Sequence, residues 1–201
     1  MSGRTSKKTV LTPRRRLTIM EGAQNKRSKQ ADFNSAFDPL RFAEQIVPKD
    51  VAKFDFDYFD EHEEFRSRPE LQAFVEFNEG CTMVVRSSVM EQAYRGDKQS
   101  RFIICHELGH VYLHKNKAAK IWRETNRSVI LGRHTIQSRY QYLQNPQWEL
   151  EANLFAGTLL APPLGISQLM NTREIRMKYN CSDEVATQAK KDAELWRAQQ
   201  R

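Results

Sequence analysis

The strongest constraint on the fold is residues 101–114, which are apolar at most positions yet carry His-Glu-Leu-Gly-His at their centre. The apolar residues fall at helical spacings, and the length and strong helix formers of the segment favour a helix over a strand. A helix that is apolar on most sides is buried. Because ionised groups removed from water must be paired or bound to a metal, the segment predicts a buried helix built around a chemical site.

The two histidines of this pattern are spaced for metal binding. His106 and His110 lie one helical turn apart on the same face, and two such imidazoles can bind one zinc ion at about 2.0–2.1 Å each. Glu107 is rotated by about 100° from His106, so its carboxylate reaches a zinc-bound water rather than the metal. Zinc lowers the pKa of that water to about 7, and Glu107 can accept its proton as the water attacks a carbonyl. The alternative is a chance match of the five-residue pattern in a buried helix.

A catalytic zinc ion takes a third protein ligand. His114 lies about 12 Å of helix rise beyond His106, so we interpret it as a surface residue or as one that supports a ligand. The isolated His62 and His134 are not predicted to bind metal. A second apolar helix, residues 149–160, offers Glu149 or Glu151 as the remaining candidates.

Glu149 is preferred over Glu151 as the third ligand. Asn153 lies one turn beyond Glu149 on the same face, where it can orient a ligand imidazole. Glu151 points about 200° away from Glu149 and is expected to face solvent. Small residues in this helix, Ala152 among them, should let it pack closely on the first helix beside Gly109.

The net charge of +7 is concentrated at the N-terminus. Residues 1–30 hold nine of the 32 Lys and Arg residues and one acid, while the rest of the chain is nearly neutral. We predict a disordered basic arm over residues 1–30, which could make a weak nucleic-acid contact through phosphates. The alternatives are a solvated tail, or a protein that begins at Met20. Residues 31–165 are predicted to form the metal-binding domain, with residues 166–201 as a helical extension packed on it.

The cellular compartment is predicted from cysteines and from apolar segments. The three cysteines, Cys81, Cys105 and Cys181, are odd in number and form no Cys-x-x-Cys pair, which argues against a disulfide framework and fits a reducing compartment. No apolar run approaches the roughly 20 residues of a membrane helix, and the charged N-terminus lacks a signal core. These features predict a cytoplasmic protein without a membrane partner.

The remaining pattern predicts an α+β fold. Residues 54–58 alternate apolar and acidic residues, which indicates a half-buried strand with its acids outward. Residues 82–86 indicate a second strand, and residues 70–77 are ambiguous. Helices are predicted over 172–179, ending at Asn180, and after the capping residue Ser182. We therefore predict a small twisted sheet packed on two metal-bearing helices, with further helices at the C-terminus, in a zincin-like arrangement.

Two features of substrate binding are expected. An exposed sheet edge, either 54–58 or 82–86, could add an extended peptide as another strand. A group that stabilises the oxyanion is also expected. Its candidates are Tyr140, Tyr142, His134 and Arg139, and the sequence does not choose among them.

The paired motifs resemble those of the ImmA/IrrE family of metallopeptidases. The resemblance is carried by residues 101–114 and 149–162 and covers the chain from about residue 55 to about residue 190. It implies one Zn²⁺ per chain held by His106, His110 and Glu149. The sequence departs from the family pattern at Ala161, where Met is common, and residues 115–145 have no counterpart in that pattern.

The resemblance also implies a function. Family members are bacterial or phage-associated proteases, and several cut a helix-turn-helix repressor and so activate stress-response or mobile-element genes. It follows that the substrate is expected to be a protein, with a DNA-bound repressor as the candidate. The competing hypothesis is a non-catalytic regulator, stabilised by a metal, that binds DNA or protein.

Overall fold

The computed structural model describes residues 10–200, with gaps at 59, 61, 69, 132–140 and 143–144. It shows an α+β fold, as predicted. In the part of the chain that it describes, no helix is long and apolar enough to cross a membrane.

A mixed sheet of five strands forms one layer of the molecule, in the order β1-β3-β2-β4-β5. β1 pairs parallel with β3, β2 is antiparallel to both β3 and β4, and β4 pairs parallel with β5. The strands are β1 Phe54–Tyr58, β2 Ala73–Phe77, β3 Cys81–Val85, β4 Val129–Leu131 and β5 Gln141–Tyr142. Asp55 and Asp57 of β1 are exposed, which confirms the predicted outward direction of its acids.

The helices cover the sheet and extend beyond it. They are α1 Pro13–Arg27, α2 Pro39–Gln45, α3 Val47–Asp50, α4 Glu63–Ser67, α5 Ser87–Tyr94, α6 Lys98–Thr125, α7 Pro146–Leu160, α8 Thr172–Tyr179 and α9 Asp183–Ala198, with a 3₁₀ turn at Pro163–Gly165. Helix α6 packs on β2, β3 and β4 and also on α7, so the two motif-bearing helices lie side by side and α6 is the one that packs on the sheet.

Helix α6 is longer than the motif that predicted it. Its first turn is capped by Asp97, whose Oδ2 accepts a hydrogen bond of 2.8 Å from the backbone N–H of Ser100. It ends at Asn126, which adopts the left-handed conformation with φ of 52°. Residues 115–125 continue the helix because they are rich in Lys and Ala, which favour helix without any apolar periodicity.

Helix α1 shows that the prediction of a disordered arm is wrong for residues 13–27. Pro13 stands in the first turn, and the side chain of Thr12 accepts from the backbone N–H of Arg15. Ile19, Met20 and Ala23 form a buried stripe, and the helix packs on α7. The charge pattern was misleading because the bases of α1 are used internally. Residues 1–9 lie outside the described residues.

Several basic residues of the N-terminal segment make intramolecular ion pairs. Arg16 pairs with Asp192 of α9, and Lys26 and Lys29 both pair with Asp50 at the end of α3. These bases are therefore engaged within the protein. The predicted nucleic-acid contact would have to rely on other bases, and it stays a prediction.

The C-terminal helices follow the sequence prediction closely. Asn180 ends α8 in the left-handed conformation with φ of 48°, and the side chain of Ser182 caps α9. One buried apolar cluster draws on all three predicted segments, with Ile19 from the first, Leu108 from the second and Ala186 from the third. The division at residues 30 and 165 stays a prediction.

Candidate metal centre

Three ligand atoms from α6 and α7 converge on one point. The Nε2 atoms of His106 and His110 are 3.1 Å apart. Oε2 of Glu149 lies 3.2 Å from Nε2 of His106, and Oε1 lies 3.3 Å from Nε2 of His110. The histidines are buried, while the Glu149 side chain is 27% exposed. The arrangement places two imidazoles and a carboxylate around a single space.

The Nδ1 atom of each ligand histidine, which does not take part in the convergence, has a partner of its own. Nδ1 of His106 lies 3.0 Å from Oδ1 of Asn153, which can only accept, so that ring carries its proton on Nδ1. Nδ1 of His110 lies 2.9 Å from Nδ1 of His114, whose Nε2 lies 3.2 Å from Oε2 of Glu151. A carboxylate accepts, so neutral His114 donates through Nε2 and accepts through Nδ1.

These protonation states leave the converging nitrogens bare, which fits a bound metal ion. His110 must donate from Nδ1 to His114, and His106 donates from Nδ1 to Asn153, so both Nε2 atoms carry only lone pairs. No described residue donates a hydrogen bond to the buried Oε2 of Glu149. Lone pairs and an anion this close repel one another unless a cation lies between them. A His₂Glu donor set is typical of catalytic zinc.

Burial favours the neutral forms of His110 and His114. It lowers the pKa of His110, and it lowers the pKa of His114 to about 3. For Glu149, burial acts to raise the pKa of the carboxyl, but His106 and His110 beside it outweigh that effect and lower it. Neutral imidazoles and an ionised carboxylate are the forms that bind a metal ion.

Glu107 lies where the centre opens to a cleft. The cleft runs between the start of α6 and the chain that leads into β2, and Glu107 and His106 are among the residues that line it. Its opposite wall is formed by residues 70–73. Glu107 is only 3% exposed. This placement gives a substrate access to the position next to the metal ligands; the role of Glu107 as a base stays a prediction.

The structure corrects the prediction that Glu151 faces solvent. Glu151 is 1% exposed, and Arg15 donates to it through Nε at 2.8 Å and Nη2 at 2.5 Å. Burial acts to raise the pKa of Glu151, but the donors Arg15 and His114 outweigh it and lower the pKa to about 2. Arg15 was overlooked because it lies in the segment predicted to be disordered.

His114 is fully buried, so it is not a surface residue. Its ring stacks on Trp148 with the centroids 4.7 Å apart and the planes 8° apart. The other interpretation, that His114 supports a ligand, agrees with its contact to His110. The repeat of histidines at 106, 110 and 114 on one helix face was the signal for this arrangement.

The other predicted candidates lie elsewhere. His62 caps α4 by accepting from the backbone N–H of Glu64 at 3.2 Å. His134, Arg139 and Tyr140 lie outside the described residues, and only the backbone of Tyr142 is described, in β5. Residues 82–86 cannot offer a free edge because β3 lies between β1 and β2. Of the two strands proposed to bind a peptide, β1 lies at the edge of the sheet. However, the cleft beside the metal ligands is lined by residues 70–73 and not by β1.

One comparison with known proteins gave a match. The family model described as the IrrE N-terminal-like domain, Peptidase_M78, matches residues 45–187. The match includes α6, α7 and all three converging ligands. Neither the search of curated proteins nor the search of solved structures gave a match.

Proposed function

The chain belongs to the ImmA/IrrE family of M78 metallopeptidases, and from this premise we propose that it is a zinc endopeptidase that hydrolyses a peptide bond in a protein substrate. The observation that carries the proposal is the convergence of His106, His110 and Glu149, with His106 and the neighbouring Glu107 both lining a cleft. Three protein ligands leave a coordination position open, as catalytic zinc sites require.

The residues of the centre have separate tasks in this reaction. A bound zinc ion would act as a Lewis acid that acidifies a water molecule and polarises the substrate carbonyl. Glu107 would accept the proton from the attacking water and deliver it to the leaving amine. Asn153 and His114 hold the ligand imidazoles with Nδ1 protonated and Nε2 directed inward. The peptide would lie in the cleft between α6 and residues 70–73.

The proposed substrate class comes from the family resemblance. We propose a helix-turn-helix transcriptional repressor, cut at one site, with a consequent role in stress response or mobile-element regulation. A non-catalytic, metal-stabilised regulator is less well supported. A structural zinc site is closed by four protein ligands, whereas this centre brings three together beside a buried glutamate that lines a cleft.

The test compares wild type with Glu107→Gln on a proteome-derived peptide library, with new N-termini identified by mass spectrometry. Zinc-loaded wild type should cut a defined set of peptides. Glu107→Gln should retain about one zinc ion per chain while its cleavage rate falls at least about 100-fold. The matched control is Glu124→Gln, an exposed glutamate at the far end of the same helix, which should cleave like wild type.

Two outcomes would contradict the proposal. If Glu107→Gln kept more than about 10% of the wild-type rate, Glu107 would not be the base. If zinc-loaded wild type cut no peptide in the library, the regulator hypothesis would take precedence.

A further inference from the structure

One ligand histidine is connected to the N-terminal helix by an unbroken series of polar contacts. Nδ1 of His110 contacts Nδ1 of His114 at 2.9 Å, and Nε2 of His114 contacts Oε2 of Glu151 at 3.2 Å. Glu151 in turn accepts two hydrogen bonds from Arg15 of α1. The series crosses three helices, since His110 and His114 belong to α6, Glu151 to α7 and Arg15 to α1.

The polarity of this series runs in one direction. Arg15 can only donate and the Glu151 carboxylate can only accept, so the Nε2 atom of His114 must carry the proton. Neutral His114 then has only an acceptor to offer at Nδ1. His110 must therefore donate from Nδ1, which leaves its Nε2 free to bind a metal. The reverse polarity would protonate Nε2 of His110 and block it as a ligand.

The surroundings of His114 and Glu151 hold both side chains in this arrangement. His114 is fully buried, and its ring is held flat against Trp148 with the planes 8° apart. The Oε1 atom of Glu151 also accepts from Nε2 of Gln147 at 3.2 Å, so both carboxylate oxygens are occupied. The Arg15 side chain is 34% exposed, so the series ends at the protein surface.

We propose that Arg15, Glu151 and His114 form a positioning relay that fixes the tautomer and orientation of His110, and that docking of α1 thereby sets the affinity of the centre for zinc. The inference rests on the proposed function in that the centre must bind zinc, but it does not depend on the substrate. His106 has a simpler arrangement, because Asn153 accepts directly from its Nδ1.

The experiment measures zinc affinity by competition with a chromophoric chelator, using the full chain. The central pair is His114→Leu and His114→Asn. Leu and Asn side chains have nearly the same shape, so both leave the same space, but only Asn offers an oxygen that can accept from His110. The Asn variant would give His110 the same kind of acceptor that Asn153 gives His106.

His114→Leu should bind zinc about 10–100-fold more weakly than wild type, the usual loss when the partner of a ligand histidine is removed. His114→Asn should bind zinc about tenfold more tightly than His114→Leu, because the Asn side chain restores an acceptor for the buried Nδ1–H of His110. Arg15→Ala should weaken zinc binding about three- to tenfold, since it leaves Glu151 with fewer donors. Arg14→Ala is the matched control on the exposed face of α1 and should bind like wild type.

Equal zinc affinity for the Leu and Asn variants would overturn the relay, because an effect of shape alone would be the same in both. Thermal unfolding of the metal-free variants shows whether each is folded. Should His114→Leu fail to fold, Arg15→Ala against Arg14→Ala decides, and equal affinities there would overturn the proposal. If wild type itself binds no zinc, the proposed function fails; if wild type binds zinc and all variants match it, only the relay fails.

Discussion

Gly109 of α6 lies directly against the backbone of Ala152 in α7. A side-chain carbon at position 109 would lie 2.8 Å from Cα of Ala152 and 3.0 Å from its carbonyl oxygen. This contact sets the separation between the helix that carries both histidines and the helix that carries Glu149. It confirms the expectation that small residues let the two helices pack closely beside Gly109.

We expect Gly109→Ala to separate α6 from α7. The added methyl group meets backbone rather than a flexible side chain, so the helices must shift. Overpacking of this kind costs about 1–3 kcal/mol of unfolding free energy, which exceeds the gain of about 1 kcal/mol from replacing a helical glycine. Urea unfolding should show a net decrease in the free energy of unfolding. Zinc affinity should also fall, because Glu149 moves away from His106.

Gly157→Ala is the matched control for this prediction. Gly157 also lies inside a helix, α7, but a side-chain carbon there would meet nothing within 4 Å. This variant should gain up to about 1 kcal/mol in unfolding free energy and leave zinc affinity unchanged. If Gly109→Ala behaved in the same way, the close approach would not govern the geometry of the centre.

The third ligand can be identified from zinc content. Wild type should hold about one zinc ion per chain after free metal is removed, and Glu149→Gln should hold little, because a neutral amide is a poor replacement for the carboxylate ligand. Glu151→Gln should keep the stoichiometry of wild type at saturating zinc, since Glu151 acts only through His114. Loss of zinc in Glu151→Gln together with retention in Glu149→Gln would assign the ligand to Glu151 instead.

Zinc content should also show in thermal stability. A ligand that binds only the folded state at 1,000 times its dissociation constant adds about 4 kcal/mol to the unfolding free energy. For a chain of this size that corresponds to a rise in melting temperature of roughly 10 °C. Chelation should remove the rise in wild type, whereas Glu149→Gln should melt at the same temperature with or without zinc.

Local sequence rules predicted the parts of the centre that depend on one helix. The spacing of His106 and His110 and the shared face of Glu149 and Asn153 follow from helix geometry alone. The cap at Ser182 and the helix end at Asn180 were equally local. The geometry of these elements agrees with the prediction because no distant part of the chain was needed to specify them.

Three features that the sequence did not predict depend on distant contacts. Glu151 was expected at the surface from its direction relative to Glu149, and its partner Arg15 could not be foreseen because it is 136 positions away in the sequence. The basic composition of residues 1–30 led to a prediction of disorder, whereas the bases of α1 form ion pairs with acids from α3, α7 and α9. The place of β3 inside the sheet could not be deduced either, since strand order is set by crossover connections rather than by alternation within a strand.

Arg27 should be among the most sensitive positions of α1. It is fully buried and donates only to backbone carbonyls among the described residues, those of Asp32, Ser35 and Leu159. Burial lowers its pKa to about 10.

Arg27→Ala should reduce the unfolding free energy by about 3 kcal/mol, because it leaves several buried carbonyls without donors. Arg27→Lys should not restore stability, since one ammonium group cannot replace the planar fork of donors. Urea unfolding measures both variants. If Arg27→Lys unfolded like wild type, the number of donors at this site would not matter.

The buried carboxyl of Glu151 should make stability depend on pH in a defined range. Burial acts to raise its pKa, but Arg15 and His114 outweigh burial and lower it from 4.5 to about 2 in the folded protein. The unfolded chain therefore binds the proton first as the pH falls. The contribution of the Glu151 carboxylate to the free energy of unfolding is present above about pH 4.5 and is lost as the pH falls towards 2.

The shift from 4.5 to about 2 corresponds to roughly 3 kcal/mol at about 1.4 kcal/mol per pKa unit, and solvent screening of the partly exposed Arg15 reduces the expected contribution to the order of 2 kcal/mol. His114 also makes the free energy of unfolding rise with pH, but at higher pH, because its pKa of about 3 in the folded state lies below the unfolded value of 6.5.

Metal-free wild type and Glu151→Gln should be compared by urea unfolding from pH 7 to pH 2.5. Folded His114 is neutral in both proteins above about pH 4, so its dependence is common to both there and the difference isolates Glu151; at lower pH the loss of Glu151 also lowers the pKa of His114. That difference should be constant above about pH 5 and shrink below it, whereas parallel curves down to pH 2.5 would show that Glu151 is not held ionised by Arg15 and His114.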